Sequence, residues 1–311
     1  MGIESKHPYY SNTEEQWQRI RDSHKGSDSI KDNGEKYLPK LSGQSDDEYQ
    51  SYKMRGVYYN GIERTVKGLI GAVMRLEPII EVPDKIKPLL DDITGTGLPL
   101  NDFISYMLSE QLLMGRQGVL VDRNEERPYL VGYSTEQITN WLDDRIILEE
   151  NFRQIDADDI YKSEYATQYR ELVKDGEGYK VRVWKKEKKG WTVVDEIFPS
   201  RLGKPLSDIP FISLSGEGFN LEPSIPPMLA LADTGLSLYR TSADLEHGRH
   251  FTALPTPYVT GIDETSELKI GSGNAWILPD SSSRAGYLEF SGQELQALEK
   301  AMEEKRSMMA S

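Results

Sequence analysis

Four histidines, no cysteine and 51 carboxylates in 311 residues set the limits of what chemistry this chain could do. Without cysteine there is no thiolate zinc site, no iron–sulfur cluster, no disulfide and no cysteine nucleophile. The histidines are His7, His24, His247 and His250, and only the stretch from Asp244 to His250 is dense enough to weigh. Residues three apart on a helix share a face, so His247 and His250, with Asp244 and Glu246 beside them, could present a two-histidine metal site. The metalloprotease pattern, with histidines four apart and a glutamate next to the first, is absent. We read these residues as the polar end of a helix, where imidazoles suit the negative end of the dipole.

Other constellations fail on their spacing. Asp156, Asp158 and Asp159 are spaced like calcium-loop ligands but lack the glycine at the sixth position and the distal glutamate, so they read as a solvated acidic turn. Gly176-Glu177-Gly178 and Gly271-Ser272-Gly273 neither open a helix after a strand nor carry a phosphate-binding lysine. No G-x-S-x-G nucleophile elbow is present. Carboxylate pairs for glycoside hydrolysis cannot be picked out by spacing among so many acids. The expectation is a protein without catalytic residues, metal or cofactor.

Composition adds to this. The acids outnumber 37 basic residues, giving a net charge of −14, which argues against a surface that grips phosphates with clustered lysine and arginine. With 37% hydrophobic and 28% charged residues, the chain fits a soluble globular protein of roughly two domains. No run approaches the ~18 apolar residues of a membrane span, and the start MGIESKHPYY lacks the apolar core of a secretory signal.

The elements that would position any site can be read in order. Residues 1–44 are polar and interrupted by Gly and Pro, which predicts an extended arm with one short helix near Glu14 to Arg21. Ser45 with Glu48 forms a capping box, and apolar residues at helical spacing then predict a helix of about 30 residues, ending at Glu77-Pro78 and open to a kink near Asn60-Gly61. A second helix runs from a cap at Asn101 to Gly115. The strands Gly118 to Arg123 and Pro128 to Tyr133 follow, then a helical turn over Gln137 to Leu142. Three β runs come next, Ile146 to Gln154, Tyr165 to Val173 and Tyr179 to Phe198. The last folds back at the basic tip Lys185, Lys186, Lys188 and Lys189, read as solvent-exposed. Helices ahead of antiparallel strands make this an α+β fold.

From Met228 to His250 a helix carries two apolar stripes, Leu229, Leu236 and Ala243 on one and Leu231, Leu238 and Leu245 on the other. An offset of two residues is about 200° of rotation, so the helix must be buried on two sides, by its own fold or by neighbouring copies. A small β element over Thr256 to Phe290 and a last helix with Leu295, Leu298, Met302 and Met309 on one stripe complete the chain.

Taken in order, the segments YLPKLSGQSDDEYQSYKMRGVYYNGIERTVKGLIGAVMR, LNDFISYMLSEQLLMGRQGVLVDR, PPMLALADTGLSLYRTSADLEHGRHFTALPTPYVTG and GNAWILP…GYLEFSGQELQALEKAMEEKR resemble the portal, or head–tail connector, proteins of tailed bacteriophages. The resemblance covers most of the chain from Tyr37 onward and lies in the ordered set, not in one short motif. It implies the portal fold: a helical and antiparallel-β wing at 45–226 after the 1–44 arm, a first stem helix at 227–251, a small clip at 252–292 and the start of a second stem helix at 293–311. The tunnel loop and crown of the family have no counterpart before Ser311.

The resemblance further implies a structural role in a homo-oligomeric ring, a dodecamer in the family, at the capsid vertex of the virion. Such a ring assembles in the host cytoplasm, without a membrane. Double-stranded DNA passes through it in packaging and ejection, and its partners are the terminase, the head–tail adaptor, the major capsid protein and the scaffold. Acids of the stem helices, such as Asp233, Asp244, Glu246, Glu299, Glu303 and Glu304, would include some that face the channel and repel phosphates. Leu229, Leu231, Leu236, Leu238, Ala243 and Leu245 would pack between subunits. The alternatives are another neck or adaptor component, or a carboxylate-dependent hydrolase.

Overall fold

The computed structural model describes residues 2–76, 78–155, 161–216, 218–252, 256–261, 282–288 and 293–310. The expected acidic turn at Asp156, Asp158 and Asp159, the Gly271-Ser272-Gly273 segment, the helix stop at Glu77 and most of the expected clip lie outside them. The architecture is α+β with antiparallel sheets, as the element order led us to expect. The chain forms two units, Met1–Lys25 with Gly61–Ala232 and Gly26–Asn60 with Asp233–Ser311, each made of two separate chain segments.

The first unit opens with α1 (Pro8–Lys25). The 1–44 stretch is therefore not an extended arm. Tyr10, Trp17 and Ile20, seven and three residues apart, share one helix face and are buried, which orders the whole 18-residue helix. After α2 (Ser27–Asp32) and α3 (Asp46–Arg55), both of the second unit, the first unit resumes with α4 (Gly61–Met74), α5 (Lys87–Leu90) and α6 (Leu100–Met114). Helix α6 stops at Gly115, which takes φ 72° and donates its N–H to the Gln111 carbonyl at 2.9 Å. A Cβ there would be strained by the backbone and would meet Pro227 Cδ at 2.9 Å, so glycine is needed twice over.

Strands β1 (Arg116–Arg123) and β2 (Pro128–Ser134) pair as expected. The turn expected over Gln137 to Leu142 is instead a 3₁₀ turn at Thr135–Gln137 followed by β3 (Ile138–Leu142). Ile138, Thr139 and Trp141 are β-formers and are buried against the partner strand β4 (Arg145–Ile155). With β5 (Ser163–Asp175), β6 (Gly178–Glu187) and β7 (Gly190–Ile197) these make a five-stranded antiparallel meander in the order β3-β4-β5-β6-β7. The short β8 (Ser200–Arg201) and β9 (Lys204–Pro205) pair with each other. Strand β10 (Phe211–Ser215), which no pattern in the sequence announced, adds to β1 to give the three-stranded order β10-β1-β2. One core joins α1, α4 and α6 to both sheets through Trp17, Ile20, Ile62, Val66, Leu113, Leu120, Leu148 and Leu172.

The second unit holds α2, α3, the part of α7 (Leu229–Thr252) from Asp233 onward, the two-stranded pair β11 (Thr256–Thr260) and β12 (Arg284–Leu288), and α8 (Gln293–Ala310). The capping box forms: Ser45 Oγ accepts from the Glu48 N–H at 3.3 Å and the Glu48 carboxylate accepts from the Ser45 N–H at 2.8 Å. The helix of about 30 residues does not. Helix α3 ends at Arg55 and α4 starts at Gly61, with residues 56–60 out of helical conformation. Gly56 caps α3 where a Cβ would meet Tyr239 Cε2 at 2.8 Å and Ala243 Cβ at 3.1 Å. Ile30, Tyr37, Leu38, Tyr49, Tyr52 and Tyr58 close a core over Leu236, Tyr239 and Ala243 of α7.

Candidate functional site

The residues expected to matter lie on the pair α7 and α8. Helix α7, 24 residues and about 36 Å long, is amphipathic on two sides, as its twin stripes require. Leu236 and Ala243 lie in the tyrosine core with α3, while Leu238 and Leu245 pack on Met302 of α8, flanked by Leu295, Leu298 and Met309. Leu229 and Leu231 precede the unit boundary and pack on the core of the first unit. Both stripes are thus covered by this chain's own side chains.

The register of the pair is antiparallel. A Cβ on Gly248 would lie 2.7 Å from Leu295 Cδ2 near the start of α8, whereas one on Gly235 would lie 3.8 Å from Met309 Cε near its end. Between them Lys305 Nζ donates to the Ser237 carbonyl at 3.3 Å and to Thr241 Oγ1 at 2.5 Å. At the far end Arg249 bridges the helices, pairing with Glu246 at 2.8 Å and Glu299 at 2.6 Å, which raises its pKa above the ordinary guanidinium value.

The expected channel acids differ in their surroundings. Asp244 accepts from the Tyr52 hydroxyl at 2.5 Å; burial, then the Asp244 hydrogen bond and charge, push that phenol's pKa well up. Glu246 and Glu299 are held by Arg249, Asp233 is exposed at the unit boundary, and Glu303 and Glu304 point outward and are exposed. The two helices from Asp233 carry Asp233, Asp244, Glu246, Glu294, Glu299, Glu303 and Glu304 against Arg240, Arg249, Lys300, Lys305 and Arg306. The pair is therefore only slightly acidic. Much of the −14 resides elsewhere, notably between Asn101 and Asp144, where eight acids face three arginines.

The histidine segment does not gather ligands. His247 packs edge-on against Tyr52 at 5.2 Å and Phe251 at 4.7 Å, and burial followed by the Arg55 charge lowers its pKa. Among the described residues no group of three His, Asp or Glu side chains could hold a metal ion. At the basic tip Lys185 lies over the Phe152 ring at 4.8 Å, and Lys186, Lys188 and Lys189 are exposed.

Two ionic networks in the first unit were invisible in the sequence. Arg21 of α1 forks onto Glu110 of α6 at 2.5 and 2.9 Å and onto Glu136 at 2.6 and 3.0 Å. Arg170 of β5 bridges Asp122 of β1 at 2.7 Å and Glu150 of β4 at 2.8 Å, and Glu150 also accepts from the Tyr133 hydroxyl at 2.6 Å. Buried Arg116 gives one hydrogen bond to the Ile138 carbonyl and lies 4.3 Å from the Trp141 ring; burial pushes its pKa down to about 9. In the two networks the carboxylates are fixed by cations, which suits cross-bracing of helices and sheets and not proton transfer.

Comparison with known proteins adds three findings. Residues 227–311, the α7–β11–β12–α8 part, match the model of a domain of unknown function, DUF4055. No curated protein sequence matches the chain. Among solved structures, a chain in the virion of a native gene transfer agent particle aligns over 91% of this chain and 72% of its own, at 12% identity and a TM-score of 0.43. A chain in the neck of an empty gene transfer agent particle, computed with C6 symmetry, aligns over 86% of this chain and 69% of its own, at 10% identity and a TM-score of 0.40. Among the described residues no helix is long and apolar enough to cross a membrane.

Proposed function

We propose that this chain is the subunit of a portal ring, the head–tail connector at the capsid vertex of a tailed-phage-type virion, through which DNA is packaged and ejected. The observation that carries the reading is the order of elements from Leu229 to Ala310: a 24-residue helix, a small antiparallel strand pair, and a second helix returning antiparallel along the first. That is the stem–clip–stem sequence of the portal family, and it falls at the positions where the sequence resembles that family. Terminase and adaptor would dock on the clip side, and exposed Glu303 and Glu304 would face the DNA.

The role is mechanical. Paired helices braced by Arg249, Lys305 and a leucine–methionine seam make a stiff rod suited to the wall of a channel. Burial of Leu236, Leu238, Ala243 and Leu245 within one chain shifts the search for contacts between copies to other surfaces. Electron microscopy and mass photometry of the purified full chain test the proposal: closed rings of about twelve copies with an axial hole are expected. A chain that remains a monomer at micromolar concentration overturns it.

A further inference from the structure

The five-stranded meander does not hold together along its whole length. The β4–β5 ladder runs on to the pair Ile155 and Ser163, and the β6–β7 ladder to Glu187 and Gly190, but β5 and β6 part after Gln168 and Lys185. Residues 163–167 are therefore paired on one side only, to β4. Alternate residues among them turn their N–H and C=O groups towards the gap between the two hairpins. That gap is a cavity of about 1080 Å³, with Phe152 and Thr167 on one wall, Lys185, Lys186 and Trp191 on the other, and Tyr169 where the strands rejoin.

An open strand edge is a template for another strand, and lysine, proline or a bulge usually guards it. Residues 163–167 carry neither lysine nor proline and a single charge, Glu164, while Tyr165 among them is 80% exposed. Across the gap, Tyr169 and Trp191 meet edge to face at 4.7 Å, and Lys185 Nζ lies 4.8 Å from the centre of the Phe152 ring. The gap thus has aromatic walls beneath a positive rim.

Charge indicates the occupant. Elsewhere in the meander Arg145, Arg170, Lys174, Lys180 and Arg182 each pair with a carboxylate. Lys185, Lys186, Lys188 and Lys189 pair with none among the described residues, on a chain where 51 acids face 37 bases. With Arg153, which donates to Ser163 Oγ at 2.8 Å, they stand against Glu149, Glu164 and Glu187, and Glu149 is already engaged by the Tyr169 hydroxyl at 3.0 Å. We propose that this gap is a docking site for an extended acidic peptide segment of a partner protein. Its backbone adds as a strand to the open edge of residues 163–167, its carboxylates meet the unpaired lysines, and an apolar side chain fills the space beside Tyr169 and Trp191. A nucleic acid strand would meet the same lysines but has no amide ladder to match a strand edge. The site stands independently of the ring reading.

The probe is a set of fluorescein-labelled heptapeptides in which aspartate alternates with valine, leucine, phenylalanine or tyrosine, read by anisotropy on the full chain. Members of the set should bind at micromolar Kd, and lysine in place of aspartate should abolish binding. On binding, alternate amides within residues 163–167 should exchange hydrogen at least tenfold more slowly. The double variant Lys186→Glu, Lys188→Glu changes only exposed positions, so it should keep the wild-type melting temperature and oligomeric state yet bind at least tenfold more weakly. Methylating alternate amide nitrogens of the peptide should weaken binding as much, because it blocks the ladder. No binding up to about 1 mM, binding unaltered by the double variant or by N-methylation, or exchange protection confined to other strands overturns the docking site. So does an oligothymidylate that binds at the lysines where no peptide protects residues 163–167. Each of these outcomes leaves the ring reading standing, since oligomeric state alone decides that.

Discussion

The Arg21 fork shows how little a single charge reveals of its role before its partners are known. Arg21 is separated from Glu110 by 89 residues and from Glu136 by 115, and it meets both at 2.5 to 2.6 Å. Glu110 is nearly buried and Glu136 only part exposed, so removing the cation leaves two carboxylates facing each other in a poor environment for charge. Arg21→Met should cost about 2–4 kcal/mol in urea unfolding. Burial acts to raise the Glu136 pKa, but the Arg21 hydrogen bonds and charge prevail and hold it below the usual range. A depressed carboxyl pKa gives stability that is present above the unfolded value, about 4.3, and lost as the pH falls through the folded one. The gap between wild type and Arg21→Met should accordingly be widest near pH 7 and close towards pH 3. A gap independent of pH would mean that Arg21 acts through packing of its stem.

At the scale of elements, packing across the α7–α8 pair can be tested without touching charge. Met302 sits between Leu238 and Leu245 and is almost fully buried. Met302→Ala should cost about 2 kcal/mol, the low end for core methionines because the site lies on a two-helix seam. Thermal unfolding of the full chain measures it, and an unchanged melting temperature would mean that α8 does not pack there in solution.

This pair is also where the sequence was most legible. Twin stripes offset by two residues called for two-sided burial of α7, and the capping box at Ser45 marked the start of α3 to the residue. Much of the meander was readable for the same reason, since long alternating strands with tight turns carry a strong local signal. Elsewhere the local signal was weak or shared. The break at Gly56 depends on Tyr239 and Ala243, more than 180 residues away. Helix α1 depends on a core for Trp17 and Ile20 that its own polar neighbours do not announce. Strand β10 is five residues whose only argument for being a strand is the open edge of β1. Of the candidate site, the two helices were readable, but which acids are engaged and which are open was not, because Arg249 and Tyr52 decide it.

For the whole molecule the question is where a charge of −14 acts. If the chain lines a DNA channel, total acidity matters less than the few carboxylates that face the lumen, since screening confines a surface charge to about 8–10 Å at ordinary salt. The helix pair is close to neutral, with Arg249 and Lys305 spent on holding the pair together. Glu303 and Glu304 are the adjacent exposed acids in it, and they lie one helix turn from Lys300 and next to Lys305 and Arg306. Charge reversal at these two positions would leave α8 with two acids and five bases and would turn a surface that lets phosphates slide into one that holds them. The assembled wild type should pass through immobilised double-stranded DNA at about 0.15 M salt, whereas Glu303→Lys, Glu304→Lys should be retained. Its affinity should fall with salt at a logarithmic slope of about 0.9 for each phosphate engaged. Retention of neither protein, with the variant still assembled, would take Glu303 and Glu304 off the channel wall.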